Sequence, residues 1–441
     1  MKKGIVIILF ISLILRLFLL FQPHEVFWDA SVYLGMGRSL FSNGSIGIWE
    51  PLRPVLWPLV LGFLWKLGLN EIFFGHLIQI ALSLGIIYLT YLIARNARNH
   101  EEALTAAAIV AFTPVFLEFN FRLYTEIPSV FFGLLSIYLF KKEKFYSAGL
   151  SAGLSFLAKF PAGILIAAES TLSEFKRIKV LLAGFLAAAL PYLVYNYIKY
   201  KDALLPIKQG KYIIQYAGIW IFAKPWHFYI SEFLRQNIFY VFSIIGIFLI
   251  FRKRAAIIPL TGILLLVYFS LEPHKEARFM ILFLPYFAIM SAYGISKLKI
   301  KHASFIVGII SLALLLPNIA MDNEFSPAVK EFHNFGYSTN PKGEVLTSTP
   351  MIRLAEKTKV TPIYYMVFDS NLSSSWEKYI IHNNPDISYI FIDTCIGGTL
   401  CPPWDKNCET ARDALLNTSK NSMKEHYYIS EGSCEYHVFY N

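Results

Sequence analysis

The chain has 441 residues, 56% of them hydrophobic and 16% charged, with a mean hydropathy of +0.49. A water-soluble chain carries about 25% charged residues, so this composition excludes a soluble enzyme and predicts an integral membrane protein. The net charge of +10 does not point to nucleic acid: from Met321 onward ten Lys/Arg stand against fifteen Asp/Glu, while the thirty Lys/Arg before it gather in short links between apolar runs, as the positive-inside rule expects.

Taken in chain order, Lys2 and Lys3 precede a first span, Gly4–Phe21, that reads as a signal anchor with its N-terminus in the cytoplasm. Arg16 lies late in that span, where it either snorkels or joins an anion site. Phe27 to Arg38 reads as an amphipathic helix with Asp29, Tyr33 and Gly37 on one face. Asp29 either caps that helix or serves as a general base. The run Pro54–Gly68, with Trp57, Trp65 and Lys66, is expected to lie in the interface, because a full span there would place every later basic link outside.

Further spans are predicted at Glu71–Ala94, Ala103–Asn120, Ile127–Phe140, Phe145–Ala158, Ala162–Leu172, Val180–Ile198, Asn237–Phe251, Ala255–Leu271, Met280–Ile295 and Ala303–Ala320, about eleven with the first. Alternation then puts Arg95 and Arg98, Lys141 to Lys144, Lys176 to Lys179, Arg252 to Arg254, and Lys297 to Lys301 on the cytoplasmic side. Four polar loops and the tail share the other side.

One of those loops, His274-Lys275-Glu276-Ala277-Arg278-Phe279, packs charged residues between two apolar runs, and ionisable groups at a membrane boundary are costly unless they meet a polar partner. From Met321 the chain turns water-soluble. Strands are expected at Val345–Ser348, Pro362–Val367 and Ile387–Asp393, helices near Met351–Lys357, Ser373–Asn383 and Cys408–Leu416, and a hairpin from Tyr427–Ser430 to Glu435–Tyr440. The domain division expected is 1–320 membrane-embedded and 321–441 a small α/β domain. Cys395, Cys401, Cys408 and Cys434 all fall in this tail and suggest two disulfides outside the cytoplasm, in any of three pairings; their spacing does not match a zinc site.

The His-Lys-Glu-x-Arg-Phe segment resembles the signature of mannosyltransferases that use dolichyl-phosphate-mannose, in the lipid-dependent GT-C glycosyltransferase superfamily. Asp29 followed by Tyr33 in the first outer loop, the Arg53-Pro54 step with its interfacial helix, and Glu126 in Arg122-Leu-Tyr-Thr-Glu126-Ile-Pro128 are similar to the same superfamily, which includes protein mannosyltransferases and aminoarabinose transferases. The resemblance covers the chain to about Ala320 and implies a multi-pass α-helical fold. It implies transfer of a sugar, a hexose such as mannose, from a polyprenyl or dolichyl phosphate to a hydroxyl on a lipid-linked glycan, protein or lipid. In that scheme Asp29 is the base; Lys275, Arg278 and Arg16 bind the donor phosphate; Tyr33, Arg53, Glu126, His274 and Glu276 line the donor and acceptor sites. No cofactor is required, and a divalent metal on Asp29 and Glu126 is the alternative route to charge neutralisation. The functional rival is a lipid or sugar transporter, for which internal repeats are expected and none is evident.

Overall fold

The computed structural model describes residues 3–97, 99–218, 220–250, 255–318, 325–363, 386–395, 399, 401, 404 and 406–441. Arg98, Arg252 to Arg254, the Met321 boundary and the expected helix Ser373–Asn383 lie outside these. The helices are α1 Lys3–Leu20, α2 Trp28–Phe41, α3 Leu56–Lys66, α4 Glu71–Ala97, α5 His100–Ala111, α6 Pro114–Glu118, α7 Glu126–Lys141, α8 Phe145–Ala158, α9 Ile164–Thr171, α10 Phe175–Tyr200, α11 Leu205–Gly218, α12 Phe228–Gln236, α13 Ser243–Ile250, α14 Ile257–Leu271, α15 Leu284–Ser296, α16 Ala303–Leu315, α17 Pro327–Asn334 and α18 Lys406–Ser422. The strands are β1 Gly47–Ile48, β2 Glu344–Thr347, β3 Lys359–Pro362, β4 Ile387–Asp393, β5 Lys424–Glu431 and β6 Cys434–Tyr440.

Two compact units divide these elements. The first holds Met1–Pro23, Leu52–Trp57 and Ile72–Asp322; the second holds His24–Pro51, Pro58–Glu71 and Asn323–Asn441. The division differs from a cut at 320/321, because the first polar loop and most of α3 group with the tail.

The first unit is helical and wears its apolar residues outward. Phe10, Phe18, Leu190, Ile198, Ile244, Phe248, Val267 and Phe305 are all exposed, a surface suited to lipid and not to water. Among the described residues three helices are long and apolar enough to cross a bilayer: Lys3–Leu20, Glu71–Asn96 and Phe175–Tyr200. A fourth is formed if α5 and the Pro114–Phe121 segment count as one span bent by 64°. The expected straight span Ala103–Asn120 is therefore broken. Pro114 has no N–H to give and its ring blocks the preceding turn, while Thr113 returns its hydroxyl to the Ile109 carbonyl at 2.7 Å. Other expected spans are shortened by 3-10 turns, at Phe160–Gly163 after α8, Ile238–Phe242 before α13 and Ala277–Leu282 before α15.

Small residues let these helices touch. A Cβ at Gly149 would lie 1.8 Å from the Leu181 carbonyl, and one at Gly184 would lie 2.0 Å from the Tyr146 carbonyl, so α8 and α10 meet backbone to backbone. On its other side α8 is tied to α7 by hydroxyls: Ser155 donates to the Ser129 carbonyl at 2.7 Å and Ser136 to the Ala148 carbonyl at 2.8 Å.

The second unit contains a six-stranded sheet in the order β1-β3-β2-β4-β6-β5, parallel through β4 and antiparallel after it. Alternation along the strands separates two apolar layers: Val345, Phe391 and Val438 pack with Phe332 of α17, and Leu346, Ile390, Ile392 and Phe439 pack with Leu415 of α18. Strand β4 and the hairpin follow the sequence expectation, the hairpin turning at Gly432 with φ +65°. Two details do not. Met351–Lys357 forms only a short 3-10 turn, Arg353–Glu356, and the strand expected at Pro362–Val367 ends at Pro362, with residues 364–367 outside those described. The disulfides are Cys395–Cys434, which ties the end of β4 to β6, and Cys401–Cys408.

His333 on α17 gives this unit a pH dependence. Its ring packs edge-on against Phe325 at 4.9 Å, its Nε2 has no hydrogen-bond partner among the described residues, and burial pushes its pKa down to about 4. An unfolded histidine takes its proton near pH 6.5, so between about pH 6.5 and 4 the unfolded chain binds more protons and stability falls with pH. The full loss amounts to about 3 kcal/mol. Protease resistance of the second unit in the intact chain should decline from pH 7.5 to 5, and His333→Phe should flatten that decline; a wild-type profile that is flat would contradict it.

Candidate active site

The first unit gathers its charges where α7 begins and α8 ends. The loop ahead of α7 is fixed from outside: Trp57 Nε1 donates to the Leu123 carbonyl at 2.7 Å and Gln79 Nε2 to the Tyr124 carbonyl at 2.7 Å. Glu126 then opens α7, where the helix dipole favours a carboxylate. Lys159 sits at the C-cap of α8, where it favours a cation. Because the serine contacts clasp the two helices together, Lys159 Nζ reaches Glu126 Oε1 at 2.7 Å.

Arg278 comes to the same oxygen from the His274–Phe279 segment. The 3-10 turn after Glu276 aims its guanidinium, whose Nε lies 3.7 Å from Glu126 Oε1 and whose Nη2 donates to Glu276 Oε1 at 2.6 Å. His274 Nε2 also meets Glu276 Oε1 at 2.6 Å, and its ring stacks on Phe222 at 4.1 Å. An antiparallel bridge between Ala223 and His274 holds that contact. Aromatic faces complete the setting: Arg278 lies over Tyr124 at 4.7 Å, and Lys159 lies over Phe279 at 4.7 Å. Two cations thus converge on one oxygen of a carboxylate that is 1% exposed, and the other oxygen of Glu126 has no hydrogen-bond partner among the described residues. Lys and Arg side chains so placed can make charge-assisted hydrogen bonds to a carboxylate or phosphate.

The remaining expected residues have different surroundings. Lys275 turns back on its own loop, donating to the Glu272 carbonyl at 2.6 Å; burial lowers its pKa, with Glu272 pulling it partly back. Arg16 is fully buried: its Nε donates to Ser83 Oγ at 2.8 Å and its Nη1 to Ser12, with Phe116 beneath it at 5.2 Å. This is helix-to-helix packing and does not present a guanidinium to the surface. Arg53 accepts a 3.4 Å bond from the Tyr192 hydroxyl at its carbonyl.

Asp29 and Tyr33 belong to the second unit, both buried on α2. Asp29 is not the cap of that helix, a position Phe27 fills. Arg38, farther along α2, forms a buried ion pair with Glu71. Among the described residues no cluster of three or more His, Cys, Asp or Glu could hold a metal. Glu126 is paired with Lys159 and Arg278.

Lys159 is the residue that sequence reasoning missed. Its only signal is a single charge between the apolar runs that become α8 and α9, which reads equally as an interfacial lysine.

Over 99% of this chain and 98% of the other, the fold superposes on the crystal structure of ArnT from Cupriavidus metallidurans bound to undecaprenyl phosphate, with a TM-score of 0.68 at 9% identity. The chain shares the fold of that ArnT structure. The oligosaccharyltransferase AglB from Archaeoglobus fulgidus, in complex with an inhibitory peptide and a dolichol-phosphate, matches 99% of this chain and 74% of its own, with a TM-score of 0.60 at 12% identity. Residues 52–195 match the family model of dolichyl-phosphate-mannose-protein mannosyltransferases, and residues 218–364 that of Alg9-like mannosyltransferases. The first stretch contains Glu126 and Lys159, the second His274 to Phe279. An uncharacterized protein from Aquifex aeolicus (strain VF5) is 26% identical over 278 residues, covering 60% of this chain, and the match spans 65% of that relative's length.

Proposed function

We propose that the protein transfers a sugar from a polyprenyl-phosphate donor to an acceptor hydroxyl, with inversion at the sugar's C1. The observation that carries the reading is the convergence of Lys159 and Arg278 on Glu126 inside a GT-C fold. A phosphodiester gains a second negative charge as it leaves C1, and cations held in a water-poor site stabilise that change by several kcal/mol. Arg278 is the residue to hold two phosphate oxygens, since its fork is planar and always charged.

In the reaction the acceptor oxygen attacks C1, the C1–O bond breaks with its electrons going to the phosphate, and the acceptor proton passes to a carboxylate. Asp29 is that base in this reading, on the strength of its place in the first polar loop. The sugar is a hexose such as mannose, which the two mannosyltransferase family matches favour. The acceptor is a glycan, protein or lipid. Incubation of the purified protein with radiolabelled polyprenyl-phosphate sugars and native membrane extract tests this directly: label should move from one donor to an acceptor, and failure of every donor would refute the reading.

The same reading puts the chemistry outside the cytoplasm, in keeping with the basic links and the two disulfides. A cysteine at Ser326 in intact cells should react with an impermeant thiol reagent, and one at Lys142 should stay shielded. Labelling at Lys142 would reverse the orientation.

A further inference from the structure

The loop that carries Asp29 also supplies the edge strand of the C-terminal sheet. Strand β1 pairs in parallel with β3, Gly47 opposite Lys359 and Ile48 opposite Val360, and Gly47 N–H donates to the Thr358 carbonyl at 2.9 Å. The reverse side of β1 rests on α2. A Cβ at Gly47 would lie 2.2 Å from the Gly35 carbonyl oxygen, and one at Gly35 would lie 3.2 Å from the backbone nitrogen of Ile48. Gly47 itself has φ +91°, which L side chains rarely adopt. Just ahead of Asp29, the Phe27 ring lies 5.1 Å from Phe325 and Glu25 pairs with Lys330 at 2.9 Å. The helix is thus fastened to the C-terminal domain both before and after the carboxylate.

We infer that the C-terminal domain is the mount that sets the position of Asp29, with Gly47 as the positioning residue that transmits it to α2. This rests on the reading of Asp29 as the base. An added methyl group at Gly47 would lie 2.2 Å from the Gly35 carbonyl oxygen, so β1 and α2 must move apart, and misplacement of a reacting group by about 1 Å is enough to cost about 100-fold in rate.

The test uses the full-length protein in detergent and three readouts: affinity for a nonreactive donor analogue, single-turnover rate, and protease resistance of the C-terminal domain. Gly47→Ala should lower the rate by roughly 10- to 100-fold and leave analogue affinity unchanged. Gly44→Ala is the control, because Gly44 shares the positive φ, at +79°, but has nothing within 4 Å of the added carbon; it should stay within about twofold. Should Gly47→Ala fail to fold, the charge swap decides: Glu25→Lys should slow transfer and Lys330→Glu in the same chain should restore it. A normal rate in Gly47→Ala, parallel loss of rate and analogue binding, or absence of rescue by the swap would overturn the inference. Normal transfer by Asp29→Asn would instead remove the base assignment beneath it.

Discussion

Asp29→Asn should lower the single-turnover rate of sugar transfer by about 100-fold or more and leave the affinity for a nonreactive donor analogue unchanged. Asparagine preserves the size of the side chain but takes no proton at neutral pH. The donor's phosphate is assigned to Lys159 and Arg278, which the substitution does not alter. An interaction made only as the acceptor gives up its proton affects turnover and not ground-state binding. Normal transfer by this variant would end the proposed mechanism, whatever the fold.

Arg278→Ala should weaken both steps. Its guanidinium would hold the phosphate before reaction and stabilise it on departure, so analogue affinity and turnover should each fall by about 10- to 100-fold, the scale of a charged hydrogen bond. Arg278→Lys keeps the charge and loses the fork, and should recover only part of the affinity. Glu276 would then keep His274 as a partner and Glu126 would keep Lys159, so neither carboxylate is left alone in the site. Titration of a fluorescent donor analogue against the three proteins separates these cases. Unchanged affinity in Arg278→Ala would exclude a phosphate role.

The sequence foretold elements whose pattern is local. Helix α8 and strand β4 have the bounds their apolar runs suggest, and α2 and α3 lie where Asp29 and the paired tryptophans place them. Arg278 was also legible, because charges between two apolar runs need a partner. Lys159 was not, since its meaning depends on α7 and α8 running side by side, and a lone lysine carries no record of that. Strand β1 is two residues long, too short for any alternation, and its partner is more than 300 residues away. The bend at Thr113-Pro114 was open to inspection in the sequence, but apolarity on both sides outweighed the proline.

Pairing of β1 with β3 has a separate consequence for how the sheet avoids sticking to other chains. Strand edges are templates for aggregation unless they are covered, charged or twisted away. At the far edge β5 carries Lys424, Glu425 and Glu431 and an irregular register between Glu425 and Tyr427, which discourages a visiting strand. The β3 edge has no comparable defence of its own beyond Lys359 and relies on Gly47 and Ile48 to occupy it. A fragment beginning at Ser326 would therefore bare that edge together with the apolar patch that Ile48 covers, and would be prone to self-association even with both disulfides intact.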